Sequence, residues 1–467
     1  MSDTKRQNGQ SGRGALIGLI IVMVIILGAL IVLALSLGEN SPESPLQTTA
    51  TTEPTTEPTE ETTEATTEPP TEPPITKIAT ATVGATGDIL MHQALIDGGY
   101  DKTTKAYDYH YIFQHFQTIV GSVDFAVANL EVTLGGNENG RKYTGYPCFN
   151  CPDPIVDALS DAGFDMLLTA NNHTYDTGNH GFFRTQQVLT EKGMPYIGTR
   201  QTVEDKNYRV VDVNGIKIGM INYTYNTGVN SDGSVSLNGI KLSADNSQLV
   251  NSFSYNKLDA FYEKLGGEVE AMRADGAEAI VIFIHWGNEY QTTENSLQNK
   301  IAQNICNLGI DVIVGNHAHV PQPVELLTNE NDETKKTLCL YSTGNSVSNI
   351  FRSSKWPANT EDGMLFTFTF AKYSDGTVIV ESTRVIPTWV HRSYRADWTN
   401  EHVILYMDDT VEDWQSLLNL TNAQHSECQA SYKRTMGIVG AGIEEANTYY
   451  QSNQEAVEAA LGVEQTN

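Results

Sequence analysis

The alternation of hydrophobic and polar positions divides the chain into regions of different character. An uncharged apolar run lies near the N-terminus, a stretch of almost only Thr, Glu, Pro and Ser follows it, and beyond that short apolar runs alternate with amphipathic ones. Towards the C-terminus apolar residues recur at spacings of three and four, the period of a helix. The pattern predicts a basic leader (1–14), a membrane-spanning helix (15–37), a disordered stalk (38–75), an α/β domain (76–395) and a helical C-terminal segment (396–467).

The N-terminal apolar run predicts a single membrane span. It is slightly longer than the roughly 20 apolar residues that cross a bilayer as a helix, and it follows Lys5, Arg6 and Arg13. Because basic residues stay on the cytoplasmic side, we expect a cell-membrane protein whose bulk is extracytoplasmic. Ala34 and Ser36 resemble a cleavage site, so a cleaved signal peptide is the alternative. With its repeated TTEP unit, the stalk would hold the next domain up to ~100 Å from the bilayer.

The long central region alternates strand-like and helix-like segments, which is typical of an α/β domain. The dipeptides Asn214-Gly215 and Asp375-Gly376 each separate two strand-like runs, and such dipeptides favour hairpins. Antiparallel strand pairs are therefore expected, and a mixed sheet or two sheets fit the pattern better than a purely parallel sheet. The helix-like segments are 107–120, 154–162, 182–192, 259–274 and 295–308.

Acidic residues outnumber basic ones by 57 to 29, which gives a formal net charge of −28. This balance argues against nucleic-acid binding, which relies on Lys and Arg to neutralise phosphates. It also opposes the binding of any polyanion unless a cation in the site neutralises the charge locally. Of the five cysteines, Cys148 and Cys151 form a CFNC pair. Outside the cytoplasm this pair indicates a structural disulfide or free buried thiols rather than redox chemistry.

Side chains capable of metal binding stand where several of the predicted strands end. Because the carboxyl ends of strands form the ligand crevice of open α/β sheets, we expect these side chains to meet at one edge. Carboxylate and amide oxygens mixed with imidazoles suit Zn, Mn or Fe, as one ion or as a pair. Each residue alone is better explained as a cap, a turn residue or a core histidine, whereas the whole set favours a metal site. The residues are Asp88, Asn129, Glu131, Asn172, His173, His285, His317 and His319.

Other residues are candidates for the surroundings of this site. Glu289, in HWGNEY, could orient the histidine of that motif, although a solvated glutamate at a helix start explains it equally well. Arg141 and Lys142 form one of the few basic pairs and could contact an anionic polymer, or they are ordinary surface charges. Gly344 and Asn345 could offer backbone amides at a strand end, a place where anions bind.

Seven motifs follow one another between roughly residues 80 and 350. They are GDIL (87–90), NLE (129–131), a YxG element before a Pro-rich helix start (143–154), ANNHxxDxG (170–178), HWGxEY (285–290), GNHAHVPQ (315–322) and YSTGN (341–345). Together they resemble the CapA-type poly-γ-glutamate capsule biosynthesis proteins, a family related to the calcineurin-like metallophosphoesterases. The resemblance implies a four-layer α/β/β/α sandwich of the metallophosphatase type, with the site between the carboxyl ends of the two sheets.

The resemblance also implies roles for individual residues and a cofactor of one or two divalent ions. Where metallophosphoesterases commonly have a histidine, two residues after the first aspartate, this chain has Leu90, and His92 is the candidate replacement. Glu131 stands where a bridging aspartate is usual. His173 would be the general acid or a transition-state stabiliser, oriented by Asp176. The implied ligands are Asp88 and Glu131, then Asn172, His285 and His317 on one ion, and His319 on the other.

Two hypotheses about function follow from this resemblance. The first is a metal-dependent hydrolase or transferase of the phosphoesterase type that acts in the synthesis, export or anchoring of an anionic surface polymer such as poly-γ-glutamate. The second is a non-catalytic scaffold that uses the same cleft to bind polymer and pass it to a membrane-bound synthase. The expected partners are the extracellular polymer and the membrane-bound components that make or export it, and no nucleic acid is expected.

Overall fold

The computed structural model describes residues 75–397, 399–411 and 413–461. The predicted leader and membrane span, nearly all of the predicted stalk and the last residues of the predicted C-terminal segment lie outside the described residues. Within the described ranges, no helix has both the length and the hydropathy that a bilayer crossing requires.

Strands and helices alternate through the described residues. In chain order the strands are β1 (Lys77–Ile89), β2 (Tyr100–Asp101), β3 (Ala106–Tyr107), β4 (Phe125–Leu130), β5 (Met166–Leu168), β6 (Tyr196–Ile197), β7 (Tyr208–Val213), β8 (Ile216–Tyr225), β9 (Gly228–Val229), β10 (Val235–Leu237), β11 (Ile240–Lys241), β12 (Ser252–Phe253), β13 (Ala279–His285), β14 (Val312–Asn316), β15 (Val324–Thr328), β16 (Lys336–Leu340), β17 (Asn345–Val347), β18 (Asp362–Tyr373), β19 (Val378–Tyr394) and β20 (Asn400–Tyr406). The helices are α1 (Gln93–Gly98), α2 (His110–Phe113), α3 (Gln117–Val120), α4 (Pro154–Asp161), α5 (Gly178–Glu191), α6 (Ala244–Ser247), α7 (Leu258–Ala274), α8 (Ser296–Asn307), α9 (Trp414–Leu417) and α10 (Asn422–Leu461).

Two mixed sheets carry most of these strands, which confirms the prediction of a mixed α/β fold. The first sheet has the order β20-β19-β18-β1-β4-β5-β6, with β17 beside β1, and the second has the order β12-β8-β13-β14-β16-β15, with β7 beside β8. In both sheets the central strands are parallel, so their carboxyl ends lie on the same edge. The predicted hairpins at Asn214-Gly215 and Asp375-Gly376 join β7 to β8 and β18 to β19.

The side chains of β13 show how the sheets and helices form layers. Ala279, Val281 and Phe283 lie in a core shared with the first sheet, whereas Ile280 and Ile282 lie in a second core with α7 and α8. This alternation follows from the two-residue period of a strand, and the continuous apolar run follows from burial on both faces. A third core joins the outer face of the first sheet to α1–α5. The molecule is thus layered helix, sheet, sheet, helix.

The segment after residue 395 corrects the predicted domain boundary. The sequence predicts a helical segment over 396–467, but Asn400–Tyr406 forms β20, which pairs with β19 at the edge of the first sheet. Residues 403–406 are all buried, so no alternation of polar and apolar positions distinguishes this strand from a helix. The helical part begins later, and its main element is α10. Along its length α10 packs on β19, β15 and β18.

Candidate metal centre

The carboxyl ends of both sheets bring the predicted ligands together. Asp88 is near the end of β1, and Glu131 follows β4 directly. Asn172 lies in the turn after β5, while His285 ends β13. The loop after β14 carries the two remaining histidines, His317 and His319, both buried. The ends of five strands from two sheets thus face one point because the central strands of each sheet run in the same direction.

These side chains form two groups that share one carboxylate. The first group is Glu131, His285 and His317, and the second is Asp88, Glu131 and His319; within each group the candidate ligand atoms lie within 4.8 Å of one another. Glu131 belongs to both groups and could therefore bridge two cations. The Oδ1 atom of Asn172 lies 2.9 Å from Nε2 of His285, which adds an amide oxygen to the first group.

The environment of Glu131 tests whether a cation fits this centre. Its side chain is fully buried, and within the described residues neither carboxylate oxygen has a hydrogen-bond donor. Burial and the neighbouring Asp88 raise the pKa of Glu131 well above its usual value. Nδ1 of the buried His317 also lacks a partner among the described residues. A buried carboxylate without a donor is costly, and a cation would satisfy it, so the residues present fit a metal.

The histidines of the first group are held in the neutral form that binds metals. Burial lowers the pKa of His285 to about 3 and lowers the pKa of His317 well below its usual value. His319 differs because Nδ1 lies 3.0 Å from the Asp88 carboxylate. Burial alone would lower the pKa of His319 and raise the pKa of Asp88. The hydrogen bond between them acts in the opposite direction, so the pKa of His319 is raised and the pKa of Asp88 is lowered. A carboxylate of Asp88 is therefore present to bind a cation.

Asparagine side chains orient the candidate ligands Asp88 and His319 through hydrogen bonds. Asn129 donates a hydrogen bond of 2.7 Å to Asp88, and Asn171 donates one of 3.2 Å to the Asn129 oxygen. The predicted residue Asn345 lies on the other side, with Oδ1 3.0 Å from Nδ1 of His319 and its amide group donating to the His319 carbonyl. Gly344 differs from the prediction. Its backbone N–H donates a hydrogen bond to the Ser342 hydroxyl and is therefore already paired within the loop.

The loop that carries His317 and His319 has an unusual backbone. His317 has φ 92° and His319 has φ 56°, and both values lie in the region that favours glycine. Such conformations cost on the order of 1–3 kcal/mol each and cluster at functional sites. Gly315 permits the loop to begin here, because a Cβ at this position would lie only 1.9 Å from the Tyr341 carbonyl oxygen. The strained turn brings both imidazoles towards Glu131.

His173 lies beside the two groups with its ring held from one side. Nδ1 of His173 is 2.7 Å from Asp176 Oδ2, an oxygen that also accepts a hydrogen bond from the Phe149 amide. Its other ring nitrogen, Nε2, is 4.0 Å from Glu131 Oε1. The Phe149 ring packs edge-on against His173, with centroids 4.8 Å apart. Asp176 therefore orients an imidazole whose free nitrogen faces the centre.

Two predicted neighbours lie close to the centre but make no hydrogen bond to its ligand groups within the described residues. Glu289 is exposed and does not orient His285, because the chain turns outward at Gly287, which has φ 92°. His92 belongs to neither ligand group; its Nδ1 accepts a hydrogen bond of 3.2 Å from the Asn349 amide, and its ring packs against Phe149. The ligand groups are complete without it.

The predicted basic pair and cysteine pair belong to neither ligand group. Arg141 donates a hydrogen bond to the Glu138 carbonyl, and Lys142 is exposed on the same surface loop. Cys148 and Cys151 are both free thiols, so the disulfide alternative is wrong in this structure. The two thiols do not pair because their side chains lie in different environments. Cys148 is exposed, whereas Cys151 is fully buried in the core beneath the first sheet.

Sequence reasoning missed the aromatic and amide side chains that surround the histidines. Tyr225, at the end of β8, packs against His317 with ring centroids 4.9 Å apart, and Tyr290 lies 5.9 Å from His319. Asn238 lies at the tip of the β10–β11 hairpin, with Nδ2 3.5 Å from Nδ1 of His173. The Asn238-Gly239 dipeptide was a signal for that hairpin, but nothing local indicated that its tip reaches the site.

Fold and site together define a class of protein: a layered α/β sandwich with a buried carboxylate and histidine centre, suited to cations, at the carboxyl ends of two sheets. Residues 82–350 match the family model "Bacterial capsule synthesis protein PGA_cap", and the chain belongs to this family.

Two curated relatives and one solved structure are similar to this chain. "Capsule biosynthesis protein CapA" of Bacillus anthracis is 26% identical over 275 residues, covering 57% of this chain and 59% of the relative. "PGA biosynthesis protein CapA" of Bacillus subtilis (strain 168) is 26% identical over 263 residues, covering 56% and 61%. The matches thus span less than two thirds of the relatives' own length. A crystal structure of a "Putative 5'-Nucleotidase" from Staphylococcus aureus in complex with alpha-ketoglutarate aligns with TM-score 0.39 and 12% identity over 76% of this chain and 58% of that chain.

Proposed function

We propose that this chain is a metal-dependent hydrolase or transferase that acts on an anionic surface polymer such as poly-γ-glutamate, during its synthesis, export or anchoring. The observation that carries the proposal is the Glu131 carboxylate, which is fully buried, has no donor among the described residues and belongs to both groups of candidate metal ligands. Membership of the capsule synthesis family supports the choice of polymer.

The described side chains would divide the work of binding and catalysis. Asn172, His285 and His317 would hold one divalent ion, Asp88 and His319 a second, and Glu131 would bridge them. A divalent ion in such a site lowers the pKa of a bound water and neutralises charge on a phosphoryl or carbonyl oxygen. His173, oriented by Asp176, would donate a proton from Nε2 to the leaving group as the bond to it breaks. Asn129 would keep Asp88 in place.

The proposal is tested by the metal content and melting temperature of the purified full-length chain and its Glu131→Gln variant. We expect the parent to carry Mn, Zn or Fe, and chelation to lower its melting temperature, because an ion that binds only the folded state stabilises it. The variant is expected to lose bound metal. In the chelated state it is expected to melt at or above the parent, because the amide replaces a buried carboxylate that lacks a donor.

The exposed Glu289 provides a matched control for this experiment. Glu289→Gln makes the same chemical change near the centre, and we expect it to leave the metal content unchanged. His317→Ala should abolish hydrolysis of phosphodiester or γ-amide bonds. A chain that contains no metal after expression in metal-supplemented medium, and that still binds polymer, would refute the enzymatic proposal and leave the polymer-binding scaffold.

We further propose that the chain is anchored in the cell membrane with its bulk outside the cytoplasm. The support is the uncharged run at residues 15–37 after a basic leader, followed by the Thr-, Glu- and Pro-rich stalk. Deletion of residues 15–37 should release the chain from the membrane fraction. Protease added to intact cells from which any outer envelope layer has been removed should cleave the parent chain. Full protection of the parent from such protease would contradict this topology.

A further inference from the structure

A polar groove lies at the open edge of the sandwich, outside the metal centre. Its volume is about 690 Å³, and its lining includes β6, the residues that follow β6, and the first half of β7. This volume is within the range that binds small ligands or a short segment of a larger one. Three basic and two acidic side chains line the groove, so its net charge is positive whereas the whole chain carries −28.

Two of the basic side chains lack a carboxylate partner. Six arginines of the described residues form ion pairs with carboxylates, whereas Arg200 and Arg209 in the groove do not. The third, Lys206, pairs with Asp275. Arg141 and Arg392 also lack a carboxylate partner among the described residues, so the feature particular to Arg200 and Arg209 is that both line the same groove.

The contacts of the two guanidinium groups leave donors available. Arg209 is exposed and donates from Nε to the Tyr196 carbonyl at 3.0 Å, which leaves its two outer nitrogens without a partner among the described residues. Arg200 donates from Nη2 to the Gln248 carbonyl at 2.7 Å and from Nη1 to the Asp205 carbonyl at 3.5 Å, which leaves one N–H on each outer nitrogen without a partner among those residues, while its Nε is buried. A guanidinium group presents parallel donors that match the two oxygens of a carboxylate.

The groove adjoins the segment that leads into the metal centre. A Cβ at Gly198, a lining residue, would lie 2.6 Å from the Ala170 amide nitrogen, so the two backbones are in close contact. Ala170 stands two positions before Asn172. A ligand in the groove would therefore contact Gly198, which packs against the segment that leads to Asn172 and His173.

We propose that this groove binds a carboxylate-bearing segment of the polymer through Arg200 and Arg209 and so holds the polymer beside the metal centre. The choice of a carboxylate polymer rests on the proposed function, whereas the positive groove and the available guanidinium donors do not. The groove carries a net positive charge in a chain that is acidic overall.

The test is fluorescence anisotropy of a labelled γ-linked glutamate oligomer with the full-length chain in detergent. We expect Arg200→Gln/Arg209→Gln to weaken binding by about tenfold or more, since two charge-assisted contacts are lost. Arg209→Glu tests the same site without changing Arg200, whose hydrogen bond to Gln248 supports the fold, and it should weaken binding more than Arg209→Gln. Arg141→Gln/Lys142→Gln removes the same number of charges elsewhere and should leave the affinity within about twofold of the parent.

Further measurements in the same assay identify the chemistry of the ligand. They also test groove binding separately from the proposed metal-dependent function. A neutral γ-linked glutamine oligomer should bind weakly to every variant, and polyphosphate should bind less tightly than the glutamate oligomer. His317→Ala should keep the affinity for the oligomer while losing metal. Parent-like binding by the groove variants, or an equal loss in the Arg141/Lys142 variant, would overturn the proposal. Preference for polyphosphate would overturn the carboxylate assignment.

Discussion

The ion pair between Arg434 and Asp362 offers a sharp test of how the C-terminal helix supports the centre. Arg434, on α10, makes two hydrogen bonds of 2.7 and 2.6 Å to the two oxygens of Asp362, whose side chain is fully buried. Asp362 begins β18, and the adjacent Gly363 pairs with Gly344. The carbonyl of Gly344 accepts the Asp88 amide hydrogen at 3.1 Å. The pair thus connects α10 to the strand end that carries a candidate ligand.

Replacing Arg434 with Gln leaves the Asp362 carboxylate buried without its cation. Removal of one partner from a buried pair costs about 3–5 kcal/mol, and since the Arg434 side chain is 22% exposed we expect a loss of about 2–4 kcal/mol in the free energy of unfolding. Burial already raises the pKa of Asp362 despite Arg434, and the variant should raise it further. Because the folded pKa then lies well above the unfolded one, the loss should be largest at pH 8 and smaller at pH 5.

Urea unfolding of the full-length chain at the two pH values measures this effect. Arg434→Gln/Asp362→Asn should recover most of the stability, because the buried group is then neutral. Lys102→Gln, which breaks the exposed pair with Asp397, is the control and should have no measurable effect. The reasoning is refuted if Arg434→Gln unfolds like the parent, or if the double variant is no more stable than the single one.

Three further outcomes are expected from other positions. In α10, Gly442→Ala should destabilise the chain, because its Cβ would lie 1.9 Å from the Val324 carbonyl oxygen, whereas Gly437→Ala, with no atom within 4 Å, should stabilise it by about 0.5–1 kcal/mol in the same urea titration. Asn129→Ala should weaken metal binding by about 10- to 100-fold in a chelator competition, because Asp88 loses its orienting amide, and unchanged affinity would contradict that role. Burial lowers the pKa of His402 to about 3, so the folded state disfavours its protonation; below pH 6 the parent should therefore lose stability relative to His402→Gln by about 1.4 kcal/mol per pH unit, and parallel curves would contradict this.

The mixed α/β fold and the positions of the candidate ligands could be anticipated because they depend on short-range patterns, whereas the four-layer sandwich was implied only by the family resemblance. The buried run of β13 and the Asn214-Gly215 turn are local signals, and they predicted a strand and a hairpin that the structure contains. The polar residues at strand ends could be assigned to one edge because parallel strands end together. Their roles as metal ligands stay predictions, although the structure brings Asp88, Glu131 and His319 within reach of one cation.

The surroundings of the centre could not be anticipated because they depend on long-range packing. Glu289 follows His285 closely in sequence, but the turn at Gly287 sends its side chain to the surface. Asn238 reaches His173 from a hairpin 65 positions later, which no local pattern indicates. The strand over Asn400–Tyr406 was predicted as helix because burial on both faces removed its alternation.

The close pairing of Asp88 with His319 joins positions 231 apart in the chain. Asp88 is at the end of a strand of the first sheet, and His319 follows a strand of the second sheet. Ions bound here would therefore cross-link the two sheets of the sandwich. Sliding one half against the other would pull the ligand atoms apart. During synthesis this cross-link could form only after the second sheet had been made. The stability of the folded sandwich would then depend on the supply of metal.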